Sequence, residues 1–188
     1  MGLIGWIIVG VAVLALFYVI SIYNGLVRLR ALVKEGFSGI TVQLRRRADL
    51  IPNLVETVQG YATHEREVFE QVSANRSAAL TAGSVQATAQ ADAQMTGLLG
   101  RLFAVAEAYP ELKANTNFLQ LQDQLAGIEG ELQSSRRYYN ATVRDLNSTI
   151  QSFPAVLISR PMGFSEEPFY QDDDQTIQTA PKVSFSAA

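Results

Sequence analysis

Few side chains in this sequence have the spacing that catalysis or metal binding requires. His64-Glu65 begins like a zinc protease motif, but the position where the second histidine must fall is Val68. A di-iron helical bundle needs Glu-x-x-His on two helices, and the chain has a single histidine and no cysteine. There is no Walker loop, no GxGxxG motif and no serine in a nucleophile elbow. We therefore predict no catalytic residue, no metal site and no cofactor, and we interpret His64 as a surface residue.

The first 27 residues contain no charged side chain, and residues 3–22 are almost entirely apolar. Twenty helical residues span about 30 Å, the thickness of the hydrocarbon core of a bilayer. A cleaved signal peptide would begin with basic residues, whereas no Lys or Arg precedes this run. Trp6 near one end, with Tyr18 and Tyr23 near the other, fits the aromatic residues of the two membrane interfaces. We predict a retained transmembrane anchor at residues 1–22.

Basic residues follow the anchor and none precedes it. Because positive flanks stay in the cytoplasm, this places the N-terminus outside and the remaining chain inside, with an extracytoplasmic body as the alternative. Residues 28–47 hold six basic residues and one acid, whereas the chain beyond them holds nine basic and seventeen acidic residues. Since polybasic segments are attracted to anionic leaflets, we predict contacts with lipid headgroups. The residues concerned are Arg28, Arg30, Lys34, Arg45, Arg46 and Arg47. For Arg45, Arg46 and Arg47, plain solvation of a helix surface is an equal alternative.

A juxtamembrane stem and turn are predicted at residues 23–40. The anchor helix is expected to continue to Glu35 and to end at Gly36 and Gly39, since glycine is favoured just past a helix C-terminus. A second helix of about 60 Å would then start near Thr41, and it could not pack along a stem of about 18 Å without entering the membrane. The apolar stem face would be left uncovered, so we predict that neighbouring subunits cover it in a homo-oligomer. The residues of this face are Leu26, Leu29, Leu32 and Val33.

Residues 41–153 are predicted to form an all-α bundle. Pro52 either kinks the second helix or ends its first part near Asp49. The last helix has the clearest pattern, a seven-residue repeat that predicts coiled-coil-like packing from Asn117 to about Ser152. The repeat comprises Phe118, Leu125, Leu132, Tyr139, Leu146 and Phe153. A ligand-facing role for the neighbours of Tyr139 remains an alternative to core packing.

Residues 154–188 differ in composition, with four prolines and a cluster of acidic residues. Such a segment is predicted to be extended and largely exposed. Its aromatic and apolar residues nevertheless predict docking, either on this chain or on a neighbouring subunit, and two of them alternate as in an added strand. These docking residues are Phe164, Phe169, Tyr170, Val183 and Phe185.

Several motifs, colinear along nearly the whole chain, together resemble one family. They include Tyr23-Asn24-x-Leu26-Val27, Glu35-Gly36-Phe37-Ser38-Gly39-Ile40, Asp49-Leu50-Ile51-Pro52-Asn53-Leu54-Val55, Gly60-Tyr61-Ala62-x-His64-Glu65, Tyr109-Pro110-x-Leu112-Lys113-Ala114-Asn115 and Pro181-Lys182-Val183-x-Phe185. In these motifs the chain is similar to the LemA family. The resemblance implies a bacterial-type envelope protein with one N-terminal membrane helix and a bundle of long antiparallel helices, and it supplies no catalytic residue. We expect the protein in the inner membrane of a bacterial cell. A related branch works in magnetosome membrane biogenesis, which implies a role in membrane organisation.

These observations favour a non-enzymatic, membrane-anchored scaffold that self-assembles, remodels or organises the bilayer, or holds an unidentified protein partner. The alternative is an accessory subunit or unrecognised enzyme with a small-molecule site on the bundle surface. A net charge of -3 and a pI near 5.2 argue against nucleic acid as a partner.

Overall fold

The computed structural model describes residues 2–62 and 64–170, and this part of the chain is helical without strands. Six helices follow one another, and they confirm the predicted all-α class. They are α1 (Leu3–Gln59), α2 (Arg66–Thr81), α3 (Val85–Glu107), α4 (Pro110–Lys113), α5 (Thr116–Gln151) and α6 (Val156–Ser159). The described chain divides into two compact units, one of residues 2–49 with 121–170 and the other of residues 50–120.

The first helix does not end where the sequence predicted. α1 continues through Gly36 and Gly39, and also through Pro52. The predictions of a turn within residues 23–40 and of a new helix near Thr41 are therefore wrong. The two glycines serve helix packing instead, because a Cβ atom at Gly36 would lie 3.1 Å from the Tyr139 Cα atom and one at Gly39 would lie 3.8 Å from the Ser135 Oγ atom.

The unit of residues 2–49 and 121–170 is built on α1 and α5, which run antiparallel. Gly36 of α1 lies against Tyr139 of α5, and Arg47, further along α1, pairs with Glu129, which is earlier in α5. The predicted repeat on α5 faces the core at every position except the last, since Phe153 lies beyond the helix and is 81% exposed. The buried members are Leu125, Leu132, Tyr139 and Leu146 in this unit and Phe118 in the unit of residues 50–120.

The unit of residues 50–120 contains the hairpin of α2 and α3 and the short α4. Ser84 caps α3 by accepting a hydrogen bond from the Ala87 backbone at 3.2 Å. The Asn115 side chain caps α5, because it accepts hydrogen bonds from the backbones of Asn117 and Phe118. The core of the unit of residues 50–120 includes Leu54, Val58, Val72, Leu102 and Leu112.

Candidate functional site

An extended segment, residues 163–170, lies on the surface of α5 and is held there by two asparagines; we call this segment the strap. Asn147 donates from Nδ2 to the Glu167 carbonyl and accepts from the Glu167 N–H, both at 2.9 Å. Asn140 donates to the Tyr170 carbonyl at 3.0 Å and accepts from the Tyr170 N–H at 2.8 Å. Each amide therefore satisfies both polar groups of one strap residue, as a neighbouring β-strand would.

We call the pair of hydrogen bonds that one asparagine makes to one strap residue a clamp. The spacing of the two clamps matches the rise per residue of a helix and of an extended chain. Asn140 and Asn147 are seven residues apart, or about 10.5 Å along a helix. Glu167 and Tyr170 are three residues apart, or about 10 Å along an extended chain. The strap runs antiparallel to α5, because Asn147 binds Glu167 and Asn140 binds Tyr170. The two clamps are three strap residues apart.

Tyr139 binds the strap between the two clamps. Its hydroxyl donates to the Pro168 carbonyl at 2.8 Å, and its ring contacts Phe37 with centroids 5.9 Å apart. Burial and, to a smaller extent, the nearby Glu167 carboxylate together raise the pKa of the Tyr139 hydroxyl to about 12. The hydroxyl therefore stays protonated and remains a hydrogen-bond donor at neutral pH.

Both ends of the strap carry an aromatic anchor. Phe164 is buried against the edge of Tyr23, with ring centroids 5.8 Å apart, and the Arg30 guanidinium lies 4.1 Å from the Phe164 ring centroid. Arg30 also donates to the Gly163 carbonyl at 3.0 Å. At the other end, Tyr170 is buried with the Arg136 guanidinium over its ring at 5.6 Å. A cation–π interaction between Arg and an aromatic ring is stronger where the two groups are partly shielded from water.

The predicted docking residues thus have different outcomes. Phe164 and Tyr170 are buried, whereas Phe169 is 41% exposed. Val183 and Phe185 lie outside the described residues. Asn147 was not predicted as a site residue, although it lies seven residues after Asn140 on the same helix.

The six basic residues predicted to meet headgroups lie in different surroundings. Arg28 and Lys34 are exposed on the first turns beyond the apolar segment, and Arg30 is occupied with the strap. Because α1 does not fold back, Arg45 and Arg46 lie roughly 35 Å along the helix from Ile22. Arg47 is buried and pairs with Glu129 at 3.4 Å. The continuous helix removes the basis for predicting headgroup contacts at these last three positions.

The stem face is also covered within the chain. Leu26 and Val33 are buried, and Leu29 and Leu32 are half-buried. The stem face therefore does not need neighbouring subunits to cover it. Self-association itself stays a prediction, at a surface that this face does not define.

The apolar segment preceding the stem is, by contrast, exposed along its length. The described residues contain one helix long and apolar enough to cross a membrane, and its most apolar window has a mean hydropathy of 2.8 with no residue buried. Leu3 and Leu14 are 80% and 71% exposed. An apolar surface this large is far beyond what a water-soluble domain leaves uncovered.

An open groove lies between α2 and α3, with a volume of about 630 Å³. Asn75 and Arg101 are among its lining residues, and the Asn75 Nδ2 atom donates to Gln94 at 2.9 Å while its buried Oδ1 atom has no hydrogen-bond partner. This groove is one place where a small-molecule site on the bundle surface could lie. Its polar lining consists of side-chain amides and one guanidinium, which do not define a ligand class.

The chain is similar to several known proteins at low sequence identity. Magnetosome protein MamQ of Magnetospirillum gryphiswaldense is 23% identical over 176 residues, which cover 80% of this chain and 65% of that protein. Protein LemA of Metamycoplasma hominis is 27% identical over 132 residues, which cover 69% of this chain and 60% of that protein. The chain thus spans less than two thirds of the length of these curated relatives. Residues 36–185 match the family model of the LemA family, and because this match covers most of the sequence, the chain belongs to the LemA family.

Proposed function

We propose that this chain is a non-enzymatic, single-pass membrane protein whose helical body serves as a scaffold at the membrane surface. The observation that carries the proposal is the exposure of the apolar segment of α1, which nothing in the described chain covers. A core helix of a soluble protein would be buried, and an exposed apolar helix of this length matches the thickness of a bilayer.

The continuity of α1 argues for a retained anchor rather than a removed signal sequence. Leu26 is fully buried in the unit that α1 shares with α5, only four residues after Ile22. The membrane-spanning and folded parts therefore belong to one helix, without a linker in which cleavage would leave the body intact. Because a rigid helix joins them, the body cannot drift away from the bilayer.

The body is proposed to lie in the cytoplasm of a bacterial cell, since Arg28 and Lys34 are exposed directly after the span and positively charged flanks favour the cytoplasmic side. Gly2→Cys and Gln133→Cys variants of this cysteine-free protein test the orientation with a membrane-impermeant maleimide. In intact spheroplasts the label should reach residue 2 and not residue 133, and lysis should expose both. The reverse pattern would place the body outside the cell, and removal of residues 2–22 should release the body from the membrane fraction.

The scaffold role is proposed to include self-association. Anchors held in one membrane plane raise the effective concentration of their bodies, so that weak contacts between subunits suffice. The LemA-family relatives named as magnetosome proteins are in line with a role at a membrane. In mild detergent and in nanodiscs the full-length protein should form a uniform particle several times its monomer mass, measured by light scattering coupled to size exclusion. A monomer in both environments would contradict self-association and favour the small-molecule alternative.

A further inference from the structure

A short apolar corner, residues 152–163, joins α5 to the strap and includes α6. Three of its large apolar side chains point into solvent, with Phe153, Leu157 and Met162 being 81%, 65% and 52% exposed. The corner contains no acidic residue, and its one basic residue, Arg160, is exposed. Such a concentration of exposed apolar side chains in twelve residues indicates a surface that is covered in the working protein.

The antiparallel packing of α1 and α5 gives the level of this corner along the anchor helix. Gly36 lies against Tyr139. Twelve residues back along α1 lead from Gly36 to Asn24, and twelve forward along α5 lead from Tyr139 to Gln151, a distance of about 18 Å in each case. α5 therefore ends level with Asn24, two residues beyond the predicted anchor.

The far end of the corner is tied to the same level by direct contacts. Phe164, the residue after the corner, packs on Tyr23 with ring centroids 5.8 Å apart. The Gly163 carbonyl accepts a hydrogen bond from Arg30, seven residues further along α1. Gly163 has a φ of +75°, a backbone conformation that favours glycine, so the chain reverses here from the corner into the strap. Both ends of the corner are thus fixed where α1 leaves its apolar segment.

We infer that the corner is a second membrane contact, which inserts Phe153, Leu157 and Met162 into the interfacial layer beside the anchor. The inference rests on the proposed membrane anchoring of α1. Lipid is the occupant that the position favours, because the exposed apolar surface of the corner lies level with the end of the exposed apolar surface of α1. Interfacial elements with apolar and basic side chains bury the apolar face about 5–10 Å into the boundary between headgroups and acyl chains, and Arg160 supplies the basic residue here.

A second contact has a mechanical consequence for the body. A protein attached by one helix can rotate about the axis of that helix without changing its contacts with lipid. The corner lies to one side of α1, so its insertion fixes the rotation of the body and the direction in which the strap faces. This arrangement suits a scaffold that presents one surface to partners along the membrane.

The test uses full-length single-cysteine variants, each labelled with a fluorophore and reconstituted into vesicles of phosphatidylcholine and phosphatidylglycerol. Leu157→Cys reports on the corner and Val11→Cys on the anchor, and both side chains are exposed to a label. Gln133→Cys is the control, an exposed position on α5 roughly 30 Å along the bundle from Ile22. Nitroxide quenchers are placed either near the lipid headgroups or near the ends of the acyl chains.

The shallow quencher should reduce the fluorescence at residue 157 several-fold more than at residue 133, and more than the deep quencher does. The deep quencher should act most strongly at residue 11. Quenching at residue 11 without quenching at residue 157 would overturn the second contact and leave the anchor in place, and a blue-shifted but unquenched label at residue 157 would assign the corner to a protein contact instead. Equal quenching at residues 157 and 133 would show a body lying flat on the membrane and would also overturn the inference. No quenching at residue 11 would overturn the proposed anchor and the inference with it.

Discussion

Alanine at Gly39 should stabilise the protein, whereas alanine at Gly36 should not. Both glycines lie inside α1, where alanine is favoured over glycine by about 1 kcal/mol in helix propensity. A Cβ at Gly39 meets only the Ser135 Oγ atom at 3.8 Å, an ordinary contact, so Gly39→Ala should raise the free energy of unfolding by about 0.5–1 kcal/mol. At Gly36 the new Cβ meets the Tyr139 Cα atom at 3.1 Å, and that backbone atom cannot rotate away.

The expected cost at Gly36 follows from what holds Tyr139 in place. Its ring is 1% exposed, and its hydroxyl is bound to the Pro168 carbonyl. Accommodating the methyl group therefore requires α1 and α5 to separate by a few tenths of an ångström, and overpacking of this kind costs about 1–3 kcal/mol. Gly36→Ala should accordingly be neutral to destabilising, and Gly36→Val clearly destabilising.

Chemical unfolding of the full-length variants in detergent, followed by circular dichroism at 222 nm, measures the difference. The paired design removes the helix-propensity gain that both alanines share, so that the difference reports helix packing alone. An equal gain in stability at both positions would contradict the close approach of α1 and α5 at Gly36.

The same glycines show where sequence reasoning failed. Glycine is favoured past the end of a helix and also where two helix backbones approach closely, and the two uses look alike in one sequence. A helix ending at Gly36 was the simpler prediction, but buried Val33 and Ile40 on either side stabilise the helix across it. The anchor and the repeat of α5 were predictable because each rests on many residues of one type at regular spacing.

The strap could be predicted only in part. Its aromatic anchors, Phe164 and Tyr170, stood out in a proline-rich acidic segment. The clamps did not, because Asn140 and Asn147 bind the backbone of the strap, and backbone groups leave no pattern in the sequence. The prediction that Phe153 continues the buried repeat was also wrong. Phe153 is an apolar residue at the expected spacing, but it lies beyond the end of α5 and is exposed.

Loss of either clamp should release the strap while leaving the helices folded. Asn140→Ala removes both hydrogen bonds to Tyr170, and Asn147→Ala removes both to Glu167. Each unpaired, partly buried backbone group costs about 1–3 kcal/mol, and each substitution leaves two such groups on the strap. The strap should therefore undock as a unit, and the double variant should cost less than the two single variants added together.

Aspartate at the same positions keeps the hydrogen-bond acceptor of each clamp and removes its donor. Asn140→Asp keeps an oxygen that accepts from the Tyr170 N–H, but it turns the donor into a carboxylate oxygen facing the Tyr170 carbonyl. We expect Asn140→Asp and Asn147→Asp to destabilise the strap nearly as much as alanine does. Gln133→Glu is the matched control, since it makes the same amide-to-carboxylate change at an exposed position of α5.

Amide hydrogen exchange and chymotrypsin cleavage measure the release of the strap. The N–H groups of Glu167 and Tyr170 should exchange much faster in the clamp variants, and cleavage after Phe164 should accelerate, because its ring is buried only while the strap is docked. The circular-dichroism signal of the helices should persist, and the control variant should behave like the original protein. Unchanged exchange at Glu167 in Asn147→Ala would contradict the clamp, whereas faster exchange throughout α5 would show that the strap and the helix unfold together and that the strap is part of the core.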